Sequence, residues 1–168
     1  MKFFKLGVVA LLAIGFSSCS VENQITRSSG EWNMTSYTLS GTSEEMENGQ
    51  VTSTASITGV ASNITMMVTF MEDGTFTVAG SFDMTLSFES DGWSFSFPIE
   101  DANSLTNGTY TIDGDDITLD PSNGDAFTGM VDISGSTMTI SYEETEVEED
   151  NGVTTTETNN ITMVFERA

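Results

Sequence analysis

The chain has 168 residues, enough for one domain and an export segment, and it carries 26 Asp and Glu against four Lys and Arg. It holds no histidine and a single cysteine, Cys19, which excludes a Ser-His-Asp triad, a Cys-His pair and a His/Cys zinc site. The carboxylate excess disfavours nucleic acid and anionic lipid headgroups as partners.

Residues 1–18 combine a basic start, Lys2 and Lys5, with an apolar run from Leu6 to Phe16. The run is too short to span a bilayer and reads as a secretory signal. The segment Phe16-Ser17-Ser18-Cys19-Ser20 that follows resembles the lipobox of bacterial lipoproteins. That resemblance implies cleavage before Cys19, acylation of its sulfur and a membrane attachment through the lipid. Cleavage would remove both lysines and leave Arg27 and Arg167 as the basic residues. A Schiff-base lysine and a phosphate-loop lysine are then excluded too. Carboxylates and hydroxyls remain, and paired-carboxylate glycoside hydrolysis is the chemistry they could support. With 26 acids such pairs arise by chance, so the expectation is a protein that is not an enzyme and needs no cofactor.

The polar residues 20–29 carry no period, so residues 19–29 read as lipid anchor and tether, and residues 30–168 as the domain. Gly30-Glu31-Trp32 opens a strand that reaches about Ser40, with a bulge near Thr35-Ser36 where the alternation slips. Residues 41–49 are acidic and read as a loop. Residues 50–71 are rich in Thr, Val and Ile, with a phase break at Gly59. From Ile64 to Phe97 apolar residues stand at alternate positions, the period of a strand with one buried face.

Turn chemistry then sets registers. Glu72-Asp73-Gly74 as a three-residue loop pairs Phe70 with Phe76, Val68 with Val78 and Ile64 with Phe82. Residues 75–90 read as one long strand that can bend at Gly80. Asp91-Gly92 pairs Phe88 with Phe95 and Leu86 with Phe97. Pro98 ends that strand, and 99–107 is a loop. Gly114-Asp115 pairs Ile112 with Ile117 and Tyr110 with Leu119. Gly135-Ser136 pairs Ile133 with Met138 and Val131 with Ile140. Asn151-Gly152 pairs Tyr142 with Ile161, Ile140 with Met163 and Met138 with Phe165. A one-residue slip would turn every apolar residue to solvent, so agreement of turn and pattern in five hairpins is informative.

These elements predict an all-β fold: an antiparallel up-and-down meander of about eight to ten strands closing into a barrel, with a β-sandwich as the other solution. The candidate lumen or core residues are Trp32, Phe70, Phe76, Phe82, Phe88, Phe95, Tyr110 and Phe165. Methionines 66, 67, 71 and 84 accompany them. Such residues line either a packed core or a cavity for a small hydrophobic ligand.

Gly30-Glu31-Trp32 matches the G-x-W of lipocalins. Residues 32–37, 70–76 (Phe-Met-Glu-Asp-Gly-Thr-Phe), 108–119 and the closing Thr162-Met-Val-Phe-Glu-Arg167 resemble the lipocalin-like domain lipoproteins of Bacteroidetes. The resemblance implies a lipocalin-like barrel held at the outer membrane, in a family whose ligands are mostly unknown. It also implies a cation–π contact between Arg167 and Trp32, because a lipocalin arginine near the chain end covers that tryptophan.

The register of the final hairpin puts Glu144, Glu146 and Glu148 on the inward parity, with Glu146 opposite Glu157. Burying that cluster is not credible, so the hairpin is expected to project into water. Glu144, Glu146 and Glu157 are the candidates for holding a hard cation, but they fall short of a coordination sphere of about six to eight oxygens. The expected function is a non-enzymatic structural or interaction module of the cell envelope. The alternative is a carrier of a small hydrophobic ligand in the barrel lumen.

Overall fold

A computed structural model describes residues 21–102 and 105–168. The signal segment and Cys19 lie outside the described residues. The described chain contains α1 (Val21–Ser28) and eleven strands: β1 (Gly30–Glu47), β2 (Gln50–Ser62), β3 (Met67–Phe70), β4 (Thr75–Ala79), β5 (Phe82–Ser90), β6 (Trp93–Ala102), β7 (Gly108–Asp113), β8 (Asp116–Pro121), β9 (Phe127–Ser134), β10 (Thr137–Asp150) and β11 (Val153–Arg167). Eight of them close a barrel in the order β1-β3-β4-β7-β8-β9-β10-β11, with β11 returning to β1. Closure leaves this body without a sheet edge. The fold is the lipocalin-like antiparallel barrel and not the sandwich.

The hairpin registers are those that the turns dictate. Phe70 faces Phe76 and Val68 faces Val78. Phe88 faces Phe95, Tyr110 faces Leu119, Ile133 faces Met138 and Tyr142 faces Ile161. The bulge in β1 falls between Met34 and Ser36. The inward parity of the eight strands forms one packed cluster that includes Trp32, Val68, Phe76, Tyr110, Leu119 and Phe165, all buried. Each large apolar side chain so buried contributes about 1.5–3 kcal/mol.

One end of the barrel is closed by α1. The stretch expected to be a tether is therefore folded from Val21 onward. The Trp32 indole N–H donates to the Ser28 carbonyl at 2.7 Å, and the Arg27 guanidinium donates to the Ile133 carbonyl across the barrel rim. Arg167 lies over the Trp32 ring, 4.4 Å from its centroid, as the lipocalin resemblance implies. The same guanidinium donates to the Ser29 and Arg27 carbonyls at 3.1 and 2.6 Å. Helix-end carbonyls lack intrahelical donors, so an arginine is well suited to this place.

At the other end the chain departs from a simple meander. Residues 41–47 continue β1, and the turn is Asn48-Gly49, both with positive φ. The lower part of β1 pairs with β3 from Gly30↔Phe70 to Asn33↔Met67, and the upper part with β2 from Thr38↔Val60 to Glu47↔Gln50. β11 follows β1 throughout, from Trp32↔Arg167 to Glu47↔Val153. The upper halves of β1, β10 and β11 therefore leave the barrel. Together with β2, β5 and β6 they make a projecting sheet in the order β10-β11-β1-β2-β5-β6. The acidic hairpin projects as expected, but as part of this sheet.

Four local expectations change with it. Residues 75–90 are two strands, broken at Gly80-Ser81 where the chain crosses from barrel to projection. Gly80 has φ +82°, and a Cβ there would fall 2.3 Å from the Thr65 carbonyl oxygen, so no other residue fits. The β3–β4 pairing ends at Met67↔Ala79, and Ile64 and Phe82 do not continue it as a pair. The phase of β2 runs unbroken through Gly59 and changes at Asn63, which has φ +49°. β6 continues through Pro98 to Ala102 because it is an edge strand, where a proline costs no ladder bond if its nitrogen faces outward. The crossings are tied together by Asp83, which accepts from the Asn63 amide at 2.7 Å and the Asp101 N–H at 3.2 Å.

The closed end gives a direct test. In a Trp93→Phe background, where Trp32 is the reporting indole, Arg167→Gln is expected to cost about 1–2 kcal/mol in urea unfolding and to shift the Trp32 emission. An unchanged midpoint with unchanged emission would mean that the arginine is not holding this end.

Candidate functional site at the barrel mouth

The mouth faces the projecting sheet. Here the inward parity of β1, β10 and β11 runs out of the packed core through Tyr37, Leu39, Tyr142 and Ile161. The loop between β8 and β9 stands opposite, and Phe127 follows it. Between them lies a cleft of about 430 Å³, lined by Tyr37, Leu39, Phe127, Tyr142, Ile161, Glu144 and loop residues Asn123 to Ala126. This volume falls within the ~300–1,000 Å³ range of small-molecule sites.

Aromatic pairs build the floor. Phe127 stacks on Tyr142 with centroids 4.2 Å apart, and Tyr37 stacks on Phe82 at 5.0 Å. The β8–β9 loop is held against the preceding segment: the Ser122 N–H donates to the Asn107 carbonyl at 2.9 Å, and the Thr106 hydroxyl bonds Asn123. Asn107 in turn accepts from the Val78 N–H at 2.8 Å, which fixes the loop to the barrel wall.

Two carboxylates line the cleft, Asp125 and Glu144, and Glu144 is the one that acts on its phenols. Burial pushes the Tyr37 hydroxyl pKa up, and the Glu144 charge pushes it further in the same direction. The Tyr142 hydroxyl is raised more strongly, by burial first, then by Tyr37 and Glu144. Among the described residues the two cations, Arg27 and Arg167, are both engaged at the closed end. The cleft therefore presents an aromatic and aliphatic floor, polar loop groups, neutral phenol donors and two carboxylates, Glu144 and Asp125. It can hold an apolar body and accept a proton donor such as a hydroxyl or an ammonium group.

The residues singled out from sequence divide between two places. Trp32, Phe70, Phe76, Phe82, Tyr110 and Phe165 are buried in the barrel core. Phe88 and Phe95 are not in the lumen: they face each other across β5 and β6 on the projecting sheet, with ring centroids 5.0 Å apart. Alternation fixes which face of a strand is apolar, but not which of two sheets the strand joins. Glu146 stands opposite Glu157 and Glu144 opposite Asn159, on the same face of the projection. Among the described residues no group of three or more such side chains is arranged to hold a metal ion. Leu39 was missed because the bulge after Met34 puts it out of phase with Trp32, and Phe127 because it opens β9, where no period has yet been set. No protein-family model and no curated protein sequence matches the chain.

The raised phenol pKa values carry a pH prediction. A folded-state pKa above the unfolded value of about 10 contributes stability that is fully present below pH 10. Above it the unfolded chain loses phenol protons that the fold retains, so stability falls as pH rises. The melting temperature is expected to drop between pH 9 and pH 11, and less so in Tyr37→Phe/Tyr142→Phe. An equal drop in both proteins would place the alkaline sensitivity elsewhere.

Proposed function

We propose that this chain is a non-enzymatic binding protein of the bacterial cell envelope, held at the outer membrane by a lipid on Cys19, and that it takes a small amphipathic ligand at the barrel mouth. The cleft beneath the projecting sheet is the observation that carries this proposal. Core side chains from all eight strands occupy the barrel axis, which favours the mouth over the lumen as the ligand site. The similarity to lipocalin-like lipoproteins rests on the G-x-W strand, the lipobox-like segment and the closing Arg167. The absence of histidine and of lysine beyond residue 5 supports binding rather than catalysis.

An interaction module is the second function compatible with the fold. One observation favours it: Trp93, Phe95 and Phe97 form an exposed row on the projecting sheet.

Native mass spectrometry of the protein purified from its own membranes tests the ligand. A bound adduct is expected in the wild type and at least tenfold less of it in Phe127→Ala/Glu144→Gln. Wild type without an adduct, or a variant that retains it, contradicts a ligand site at the mouth. In the same preparation Cys19→Ala should leave the detergent-extracted membrane fraction. If it stays there, the lipid anchor is wrong.

A further inference from the structure

Among the described residues the projecting sheet has two open edges, and their chemistry differs. Along β10 beyond Ser141 the edge carries Glu143, Glu144, Glu146, Glu148, Glu149 and Asp150. Charged side chains of one sign protect an edge from pairing with another copy. The opposite edge, β6, has no charge from Trp93 to Ile99, in a chain with 26 acids. Its Trp93, Phe95 and Phe97 are 57, 44 and 37% exposed and stack on one another and on Phe88. An uncharged edge beside an exposed aromatic row is a site for strand pairing.

The backbone shows what can pair there. Asp91 and Gly92, both with positive φ, make a two-residue turn closed by Ser90↔Trp93. In such a hairpin the closing pair exchanges hydrogen bonds and the pairs then alternate. Trp93, Phe95 and Phe97 therefore bond to β5, while Ser94, Ser96 and Pro98 turn their backbone groups outward. The 2.7 Å contact between the Ser87 and Ser96 hydroxyls agrees, since side chains approach most closely in the non-bonded pairs. Pro98, which has no N–H, also belongs to the outward set. The free edge thus offers two complete donor–acceptor residues, Ser94 and Ser96, followed by one without a donor.

We propose that β6 pairs antiparallel with β6 of a second copy of this chain, about a two-fold axis at Phe95. In this register Ser94 exchanges both backbone bonds with the partner's Ser96, and Ser96 does the same with the partner's Ser94. Pro98 falls opposite Gly92 of the turn, so its missing donor costs nothing. Shifting the register by two residues either way replaces one of these full pairs by a pair with Pro98 or with the turn. The aromatic rows of the two copies then meet on one face of a continuous sheet. The uncharged strip suits an identical strip, whereas a basic partner would be drawn to the β10 edge. Asp91 and Glu100 flank the strip, so like charges meet at its ends and salt should strengthen the association. This pairing is independent of the mouth cleft.

The test uses the chain from residue 19 to 168, as signal cleavage would leave it, with Cys19→Ser. Sedimentation is expected to show a monomer–dimer equilibrium that tightens several-fold from 50 to 500 mM salt. Ser96→Pro deletes one outward donor without touching the β5 ladder, and should weaken the dimer at least tenfold while the far-ultraviolet spectrum stays that of a folded sheet. In the same background Phe95→Cys places two thiols at the axis, within disulfide reach, and should cross-link on mild oxidation. Trp93→Cys leaves its two copies ~14 Å apart, four residues of ~3.4 Å, and should not cross-link. A chain that stays monomeric at all concentrations, a dimer indifferent to Ser96→Pro, or equal cross-linking at 93 and 95 overturns the proposal. A monomer that floats with zwitterionic vesicles through Trp93 does so as well, and assigns the strip to lipid.

Discussion

The pairing of β1 with β11 is the constraint on which the rest depends. It runs from Trp32↔Arg167 to Glu47↔Val153, so two strands serve two bodies. Their lower halves close the barrel, and their upper halves are the stem of the projecting sheet. The residues change character where the roles change. Below the crossing the inward positions are Trp32, Met34, Met163 and Phe165, all buried. Above it they are Gly41, Ser43, Asn159 and Glu157, which supply no apolar side chain, and Ile57 opposite Gly41 is buried outside the barrel cluster. The upper part is held chiefly by cross-strand bonds and by neighbouring strands, with few buried side chains such as Ile57.

This division puts stability and recognition in different places. The closed end is stabilised by α1, by the Trp32 indole bond and by Arg167 stacked on that indole. The mouth lies where packing gives way to projection, and there an aromatic floor meets the Glu144 and Asp125 carboxylates. A rigid barrel carrying a less constrained site at one end is a common division of labour in β proteins. The exposed aromatic row lies farther out, on the last strand of the projection, where it disturbs neither the core nor the mouth.

Much of this was legible in the sequence, and the reason is specific. Where a turn such as Asp91-Gly92 or Asn151-Gly152 and the apolar parity agree, only one register buries the apolar side, and those registers are the observed ones. Residues 41–47 were illegible by parity because they have almost no apolar residues; Asn48-Gly49, the same turn dipeptide as at 151–152, was the signal that could have found the hairpin. The helix over 21–28 carries its helical period on two apolar residues only, Val21 and Ile25, too few to stand out in a polar stretch, and bonds to backbone carbonyls at Ser28 and Arg27 dock it. Phe88 and Phe95 obey the alternation perfectly, yet alternation does not distinguish a barrel wall from a second sheet.

If one barrel is the stable body and the sheet beyond it a separate, weaker unit, native-state hydrogen exchange resolves the two. Amides of Met34, Val68, Ile140 and Met163 should exchange only through global unfolding. Those of Leu86, Phe88 and Phe95 in monomeric protein should exchange through local opening at a lower free energy, and their exchange should respond weakly to denaturant. Protection at Phe88 and Phe95 equal to that at Met163, with the same denaturant dependence, would contradict the division into a packed barrel and a projecting sheet.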